Sequence, residues 1–524
     1  MSKRQSDQLF TLIRSLGKAE KRHFKIYSSK HVIGTENIYV RLFDAIEKQG
    51  EYDERALRSD KLFHDFPSLK KRLYRSVLRS LEVFHSSTGI EIRSIRDQVE
   101  ILFGKSLYVH CSRLIRKAKK VIAQYELFEE WLEFLKWEYR IAVKNFDMPV
   151  RMQVLREEKE VLALLNNQKK YRDLANLFSL RYQQYGSERG RKGMSEMERH
   201  LSSLALKEIR QARSIRARQN FYDCHYLFSL IREDYKSSYR FSKKMADMYL
   251  DNPLIISFNA ASYLTSINNL LIACNGIHNY AEMLGYLEKL EQTRKGLKSA
   301  SDKALGFFYL YHLLNYFIST GQFKEAEDDL KRLEAELPGH EMSLNQLQKI
   351  IFYATMAQVY FGMENYKRCL FWLNRIMAFG EMKVRTDIEC SVRLLYLIVH
   401  FEIKGDRQFM MSLVKSTYRF LYKNHRLYKF ESTMMQFMRQ YVLKRNPWGN
   451  MKEPYVALKK KLEQLSKDPY EKHALNYFDF ISWLDSKIEN RPFAAVVRRK
   501  GKNGKPHPAS FAAVTPLPRE RGLG

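Results

Sequence analysis

Residues 307–338 read FFYLYHLLNYFISTGQFKEAEDDLKRLEAELP. Leu310, Leu313, Leu314 and Phe317 recur at intervals of three and four, which places them on one face of a helix. Ser319-Thr320-Gly321 breaks that pattern and ends in a residue suited to a left-handed turn. Beyond it Phe323, Ala326, Leu330 and Leu333 resume the same period, until Pro338 closes the second helix. The stretch predicts two antiparallel helices joined by a short polar turn.

Working outward, an aromatic residue opens the second helix of successive hairpins at Tyr280, Phe323, Tyr366 and Phe409, each 43 positions after the last. Phe128 and Tyr171 share that separation. The register does not carry from Tyr171 to Tyr280, and the polar run 186–193 between them predicts an exposed basic loop in an irregular part of the array. Elsewhere the apolar period is that of helices, broken by polar turns such as Lys48-Gln49-Gly50 and Lys404-Gly405-Asp406. The chain has 22 Gly and 12 Pro in 524 residues, roughly half of average usage. That is too few to turn an all-β chain, and the expected fold class is all-α.

Leu310, Leu313, Leu314, Phe317, Gly321, Phe323, Ala326, Leu330, Leu333 and Pro338 fall on the spacing of a tetratricopeptide repeat, which this unit resembles. Small Ala326 stands where two helices approach. The next unit keeps Tyr353, Met356, Ala357, Tyr360, Tyr366, Cys369, Leu373 and Ile376 without a closing proline. Met283 and Ser412 replace the small residue in units 264–298 and 393–423, and a period of 43 exceeds the family's 34. The chain resembles a divergent member over 264–423. The resemblance implies a right-handed α-solenoid of helical hairpins with period about 43, no catalysis, and a concave groove that binds extended peptides or partner helices. Asn268, His312, Asn315 and Gln358 are the candidate groove residues, because amides and imidazoles can donate to and accept from a peptide backbone. Bonding between helices inside the stack would use the same four residues.

The expected organisation is an N-terminal helical module at 1–88, irregular hairpins at 89–250, repeat-like hairpins at 251–425, C-terminal helices at 426–490 and a disordered basic tail at 491–524. In the module, Leu9, Phe10, Leu12, Ile13 and Leu16 form one apolar face, and Leu69, Leu73, Val77, Leu78 and Leu81 another. Two readings fit it. It caps the first repeat's apolar face, or it is a helix-turn-helix whose 67–86 helix brings Lys70, Lys71, Arg72, Arg75 and Arg79 to DNA.

Lys and Arg number 90 against 59 Asp and Glu, a formal net charge of +31. Such a charge points to acidic partners: nucleic acid, an anionic surface or acidic protein segments. It is unevenly spread, −4 over 251–345 and +10 over 346–450. In the basic segment Lys415, Arg419, Lys423 and Arg426 are spaced four, four and three, and no carboxylate lies between Asp406 and Glu431. Tyr418, Tyr422, Tyr428 and Phe430 are interleaved. Cations with aromatics suit a polyanion, and a solvated outer helix face carries the same pattern. Arg113, Arg116 and Lys120 form a shorter stripe.

No metalloprotease, Walker, nucleophile-elbow or dinucleotide motif occurs. Cys111, Cys224, Cys274, Cys369 and Cys390 include no C-x-x-C pair, so no disulfide framework, metal or cofactor is expected. The most apolar run, Ala304 to Ile318, is interrupted by His312 and Asn315, so no membrane span and no membrane partner is expected. The functional expectation is a cytoplasmic, non-catalytic scaffold for protein–protein interaction that favours acidic or extended partner segments. The alternative is a nucleic-acid-associated regulatory protein acting through its basic helices and tail.

Overall fold

The computed structural model describes residues 8–29, 37–59, 63–85, 88–185, 191–258, 260–296, 300–340, 344–380, 385–442, 451–468 and 470–502. Among these residues every regular element is a helix. The chain forms two compact units, Met1–Val161 and Leu162–Gly524, and the division falls inside the helix Met148–Tyr185.

The first unit opens with helices Gln8–Ser15, Lys18–Ser29, Ile38–Lys48, Glu54–Ser59 and Phe66–Phe84. Side-chain caps fix the starts of two of them: Asn37 Oδ1 accepts from the Tyr39 N–H at 2.9 Å, and Asp53 Oδ1 from the Arg55 N–H at 2.9 Å. Leu9, Ile13, Phe24, Leu42, Phe43, Ile46, Leu57, Leu69, Leu73 and Val77 bury one another in a single core. Leu78, expected on that face, is exposed, and Leu81 is half-buried. Three 17-residue helices follow, Thr88–Gly104, Tyr108–Gln124 and Phe128–Lys144. Each ends in the same way. Ser106, Glu126 and Phe146 adopt φ of 60°, 52° and 57°, two positions before the next helix begins. The residue after each donates back into the finished helix, as Leu107 N does to Leu102 O at 3.0 Å and Leu127 N to Ile122 O at 3.1 Å. This is a left-handed cap that satisfies the last carbonyls while reversing the chain.

The second unit uses the same turn at Glu233, His278, Gly321 and Glu364, with φ of 57°, 58°, 72° and 60°. Two residues after each stands an aromatic: Tyr235, Tyr280, Phe323 and Tyr366. Tyr235 extends the expected series, 45 positions before Tyr280 and so out of strict register. Phe409 leaves it. The left-handed residue there is Lys404, Asp406 caps the helix Arg407–Lys423, and Phe409 lies in its first turn, 45% exposed. Tyr171 is buried in the middle of Met148–Tyr185 and opens no helix.

Glycines receive two of these rings, although Phe323 stands in the turn and the helix after it begins only at Glu327. A methyl on Gly276 would stand 2.4 Å from the Tyr235 ring, and one on Gly362 2.2 Å from the Phe323 ring. Gly362 therefore sits earlier in its unit than Gly321 because it is a packing seat and not a turn. The helix Glu327–His340 continues through Pro338, which costs it one hydrogen bond in the last turn.

The tail expected from 491 is corrected at its start. Phe493–Lys502 is a helix with Phe493, Val496 and Val497 buried. The Phe493 ring lies 5.8 Å from Phe323, 5.3 Å from Phe361 and 5.8 Å from Phe478. Three apolar side chains on one face supply what the charge and prolines of the segment obscured. The rest of the tail, 503–524, lies outside the described residues, as does 186–190 of the expected loop. The helix Arg191–Leu201 begins where that loop was to continue.

Candidate functional site

The four groove candidates are all buried, Asn268 at 2%, His312 and Asn315 at 0% and Gln358 at 4%. His312 Nε2 donates to Asn268 Oδ1 at 3.0 Å, joining Ala260–Gly276 to Ala300–Thr320. Asn315 Nδ2 donates to Tyr311 O at 2.8 Å, and Gln358 Nε2 to Tyr477 O at 2.7 Å. Gln358 binds a peptide carbonyl as a groove residue should, but that carbonyl belongs to its own chain. Burial lowers the His312 imidazole to about 3, so it is neutral. The groove assignment is corrected for a physical reason. These helices are apolar around most of their circumference and covered on several sides, so a polar side chain within them meets protein and not solvent.

What lies against these hairpins is the segment 472–500. Glu233 accepts from His473 and Asn476. Glu402 accepts from Trp483 Nε1 at 2.7 Å and from Lys487. Glu364 Oε1 accepts from the Phe493 N–H at 3.3 Å, and Arg498 Nη2 donates to Gly321 O at 3.2 Å and Glu325 Oε1 at 3.0 Å. Glu233, Gly321 and Glu364 are themselves left-handed turn residues, so one row of turns holds the C-terminal segment.

Beneath it Arg385, 1% exposed and at φ 60°, donates Nε to Asp387 Oδ1 at 3.0 Å and Nη2 to Oδ2 at 2.7 Å. The Tyr477 hydroxyl also bonds Asp387, and the Tyr182 ring lies 5.0 Å from the guanidinium. Burial pushes the Asp387 carboxyl up, but the Arg385 guanidinium outweighs it and holds the group below the usual carboxylate range. Sequence reasoning missed this cluster, since single charged residues beside apolar helices carry no motif.

The basic stripe fares differently. Lys415, Arg419 and Lys423 are exposed on Arg407–Lys423, whose other side buries Met410, Val414, Thr417, Phe420 and Leu421. Tyr418 and Tyr422, 46% and 70% exposed, lie one turn apart with rings 6.5 Å apart and 10° from parallel. Arg426 leaves the stripe: it is half-buried and donates Nε to Thr386 Oγ1 at 3.0 Å. Phe430 is buried against Phe480, and Tyr428 is half-buried. Three cations beside two parallel phenol rings can neutralise carboxylates and lie against a flat or apolar group.

All five cysteines are buried and none forms a disulfide, and burial raises the Cys274 thiol to about 12. Among the described residues no group of three His, Cys, Asp or Glu side chains is placed to hold a metal ion. Nor is any described helix long and apolar enough to cross a membrane. Compared with protein-family models, with curated proteins and with solved structures, the chain matches none.

Proposed function

We propose that the chain is a non-catalytic, divergent tetratricopeptide-like scaffold, a right-handed α-solenoid that binds acidic segments of partner proteins on the exposed face of Arg407–Lys423. The solenoid reading is supported by left-handed residues and aromatics that recur at 278 and 280, 321 and 323, and 364 and 366, and by the glycine seats that receive the rings. The binding reading rests on one observation: Lys415, Arg419 and Lys423 form an exposed stripe beside the Tyr418–Tyr422 stack, and no carboxylate occurs from Arg407 to Phe430. The groove is no part of the proposal, because its polar residues bond within the protein. The buried thiols, none in a disulfide, fit a reducing, cytoplasmic setting.

The test is fluorescence anisotropy of a labelled Asp/Glu-rich peptide against the full chain. Wild type should bind with an affinity that falls as salt rises. The variant Arg419→Glu/Lys423→Glu should lose tenfold or more, and a neutral peptide of equal length should not bind. Equal affinity of wild type and variant would refute the site.

A further inference from the structure

The core of the first five helices is drawn wholly from residues 9–81. A cap would turn an apolar face toward the helices that follow, whereas this module buries most of its apolar residues within itself and leaves Ile26, Leu78, Val83 and Phe84 exposed. The Phe66–Phe84 helix packs on Lys18–Ser29 and Ile38–Lys48, burying Phe66, Leu69, Leu73, Val77 and Ser80 along one side. At 100° per residue Ser68, Arg72, Arg75 and Arg79 fall on the opposite side, with Lys71 beside them.

Lys71, Arg72, Arg75 and Arg79 are all exposed, and none makes an ion pair among the described residues. No carboxylate occurs between Asp65 and Glu82. Three acids of the module are engaged elsewhere, while Glu82, exposed, stands one turn beyond Arg79 on the same helix. Glu54, buried, accepts from Lys70 Nζ at 3.0 Å and Arg58 Nη2 at 2.6 Å, while Asp44 pairs with Lys25 at 2.7 Å and Glu47 with Lys21 at 3.0 Å. What faces solvent on this helix is a row of unneutralised arginines on a rigid support.

We propose that this arginine face binds the major groove of duplex DNA, a function separate from the acidic-peptide site. The 19-residue helix is about 28 Å long, and the B-form major groove, about 12 Å wide, admits a helix. Arg55, exposed on the short preceding helix Glu54–Ser59, adds a further cation for the phosphate backbone. No aromatic ring shares the arginine face between Ser68 and Arg79, so the stacking platform that single strands require is missing there. A-form RNA has a major groove too deep and narrow for side chains to read. Duplex DNA is the polyanion this face fits.

The full chain is titrated into a labelled random-sequence DNA duplex at salt from about 50 to 200 mM. Arg72→Ala/Arg75→Ala/Arg79→Ala should lose tenfold or more in affinity, with the log–log salt slope smaller by roughly two to three. Replacing the same three residues by Lys should keep the slope, since phosphates respond to charge. Arg419→Glu/Lys423→Glu should retain wild-type DNA affinity, so failure here is distinct from failure of the peptide site. The proposal is overturned by absence of duplex binding at the lowest salt, or by an unchanged affinity and slope in the alanine variant. Tighter binding to duplex RNA or to single strands overturns it equally. Melting temperatures check the fold, and if the triple variant unfolds, the single change Arg75→Glu is read by the same criteria.

Discussion

The helices Gln346–Gly362 and Arg407–Lys423 are each 17 residues long and carry polar side chains at helical spacing. Gln358 in the first is buried and bonded to Tyr477 O, while Arg419 in the second faces solvent. The inner helix is buried at every position from Ile350 to Gly362. The outer helix buries one stripe and exposes the rest. Exposure is thus decided by what surrounds a helix over a full turn, and the polarity of a single residue is a poor guide to it.

The largest expected effect breaks the inner side of that comparison. Arg385→Ala leaves the Asp387 carboxyl buried without its cation and should cost about 3–5 kcal/mol in urea unfolding. A loss below about 1 kcal/mol would mean that the cluster is open to water. Phe323→Ala should cost a comparable amount, about 3–5 kcal/mol, because its ring fills the Gly362 seat. Phe409→Ala, at the exposed position, should stay within about 1 kcal/mol. Equal losses would restore Phe409 to the buried series.

Acid sharpens the contrast. An imidazole ordinarily titrates near 6.5, and burial lowers His312 to about 3. The unfolded chain therefore takes up the proton first, so this contribution is complete above about pH 6.5 and is lost as pH falls toward 3. At pH 4 the loss should be about 3 kcal/mol, and His312→Asn should flatten that limb of the stability curve. An unchanged acid limb in the variant would place His312 in contact with water. The smallest effect belongs to the outer helix: Arg419→Glu/Lys423→Glu should change stability by no more than about 0.5 kcal/mol per site, measured by the same urea titration.

The all-α class was legible from the apolar period, and the hairpin at 307–338 from Gly321 and the leucines around it. The turns were harder to see, because Glu233, His278, Glu364 and Lys404 adopt the left-handed conformation that a sequence advertises only through glycine. Tyr235 escaped because it lies 45 and not 43 residues before Tyr280. The spacing of Lys415, Arg419 and Lys423 was sufficient to place all three on the exposed face of one helix. Arg426 was misplaced because the helix ends at Lys423, and beyond it helical spacing no longer sets direction. The groove residues failed for want of tertiary information: Asn268 and His312 bond each other between helices, and Gln358 bonds Tyr477 in a segment, 472–500, that no local pattern connects to it.

That segment also sets an order of events during synthesis. Glu233 precedes its partner His473 by 240 residues, an interval of roughly ten seconds to a minute at ordinary translation rates of about 5–20 residues per second. Helical hairpins form in far less time, so the hairpins stand assembled while Glu233, Arg385 and the Phe323 ring still await the residues that cover them. A nascent chain halted before residue 470 would present folded hairpins with an uncovered acidic and aromatic edge. Such a product should be sticky without being unfolded, and ribosome stalling in the last tenth of the chain should be more harmful than stalling near its middle.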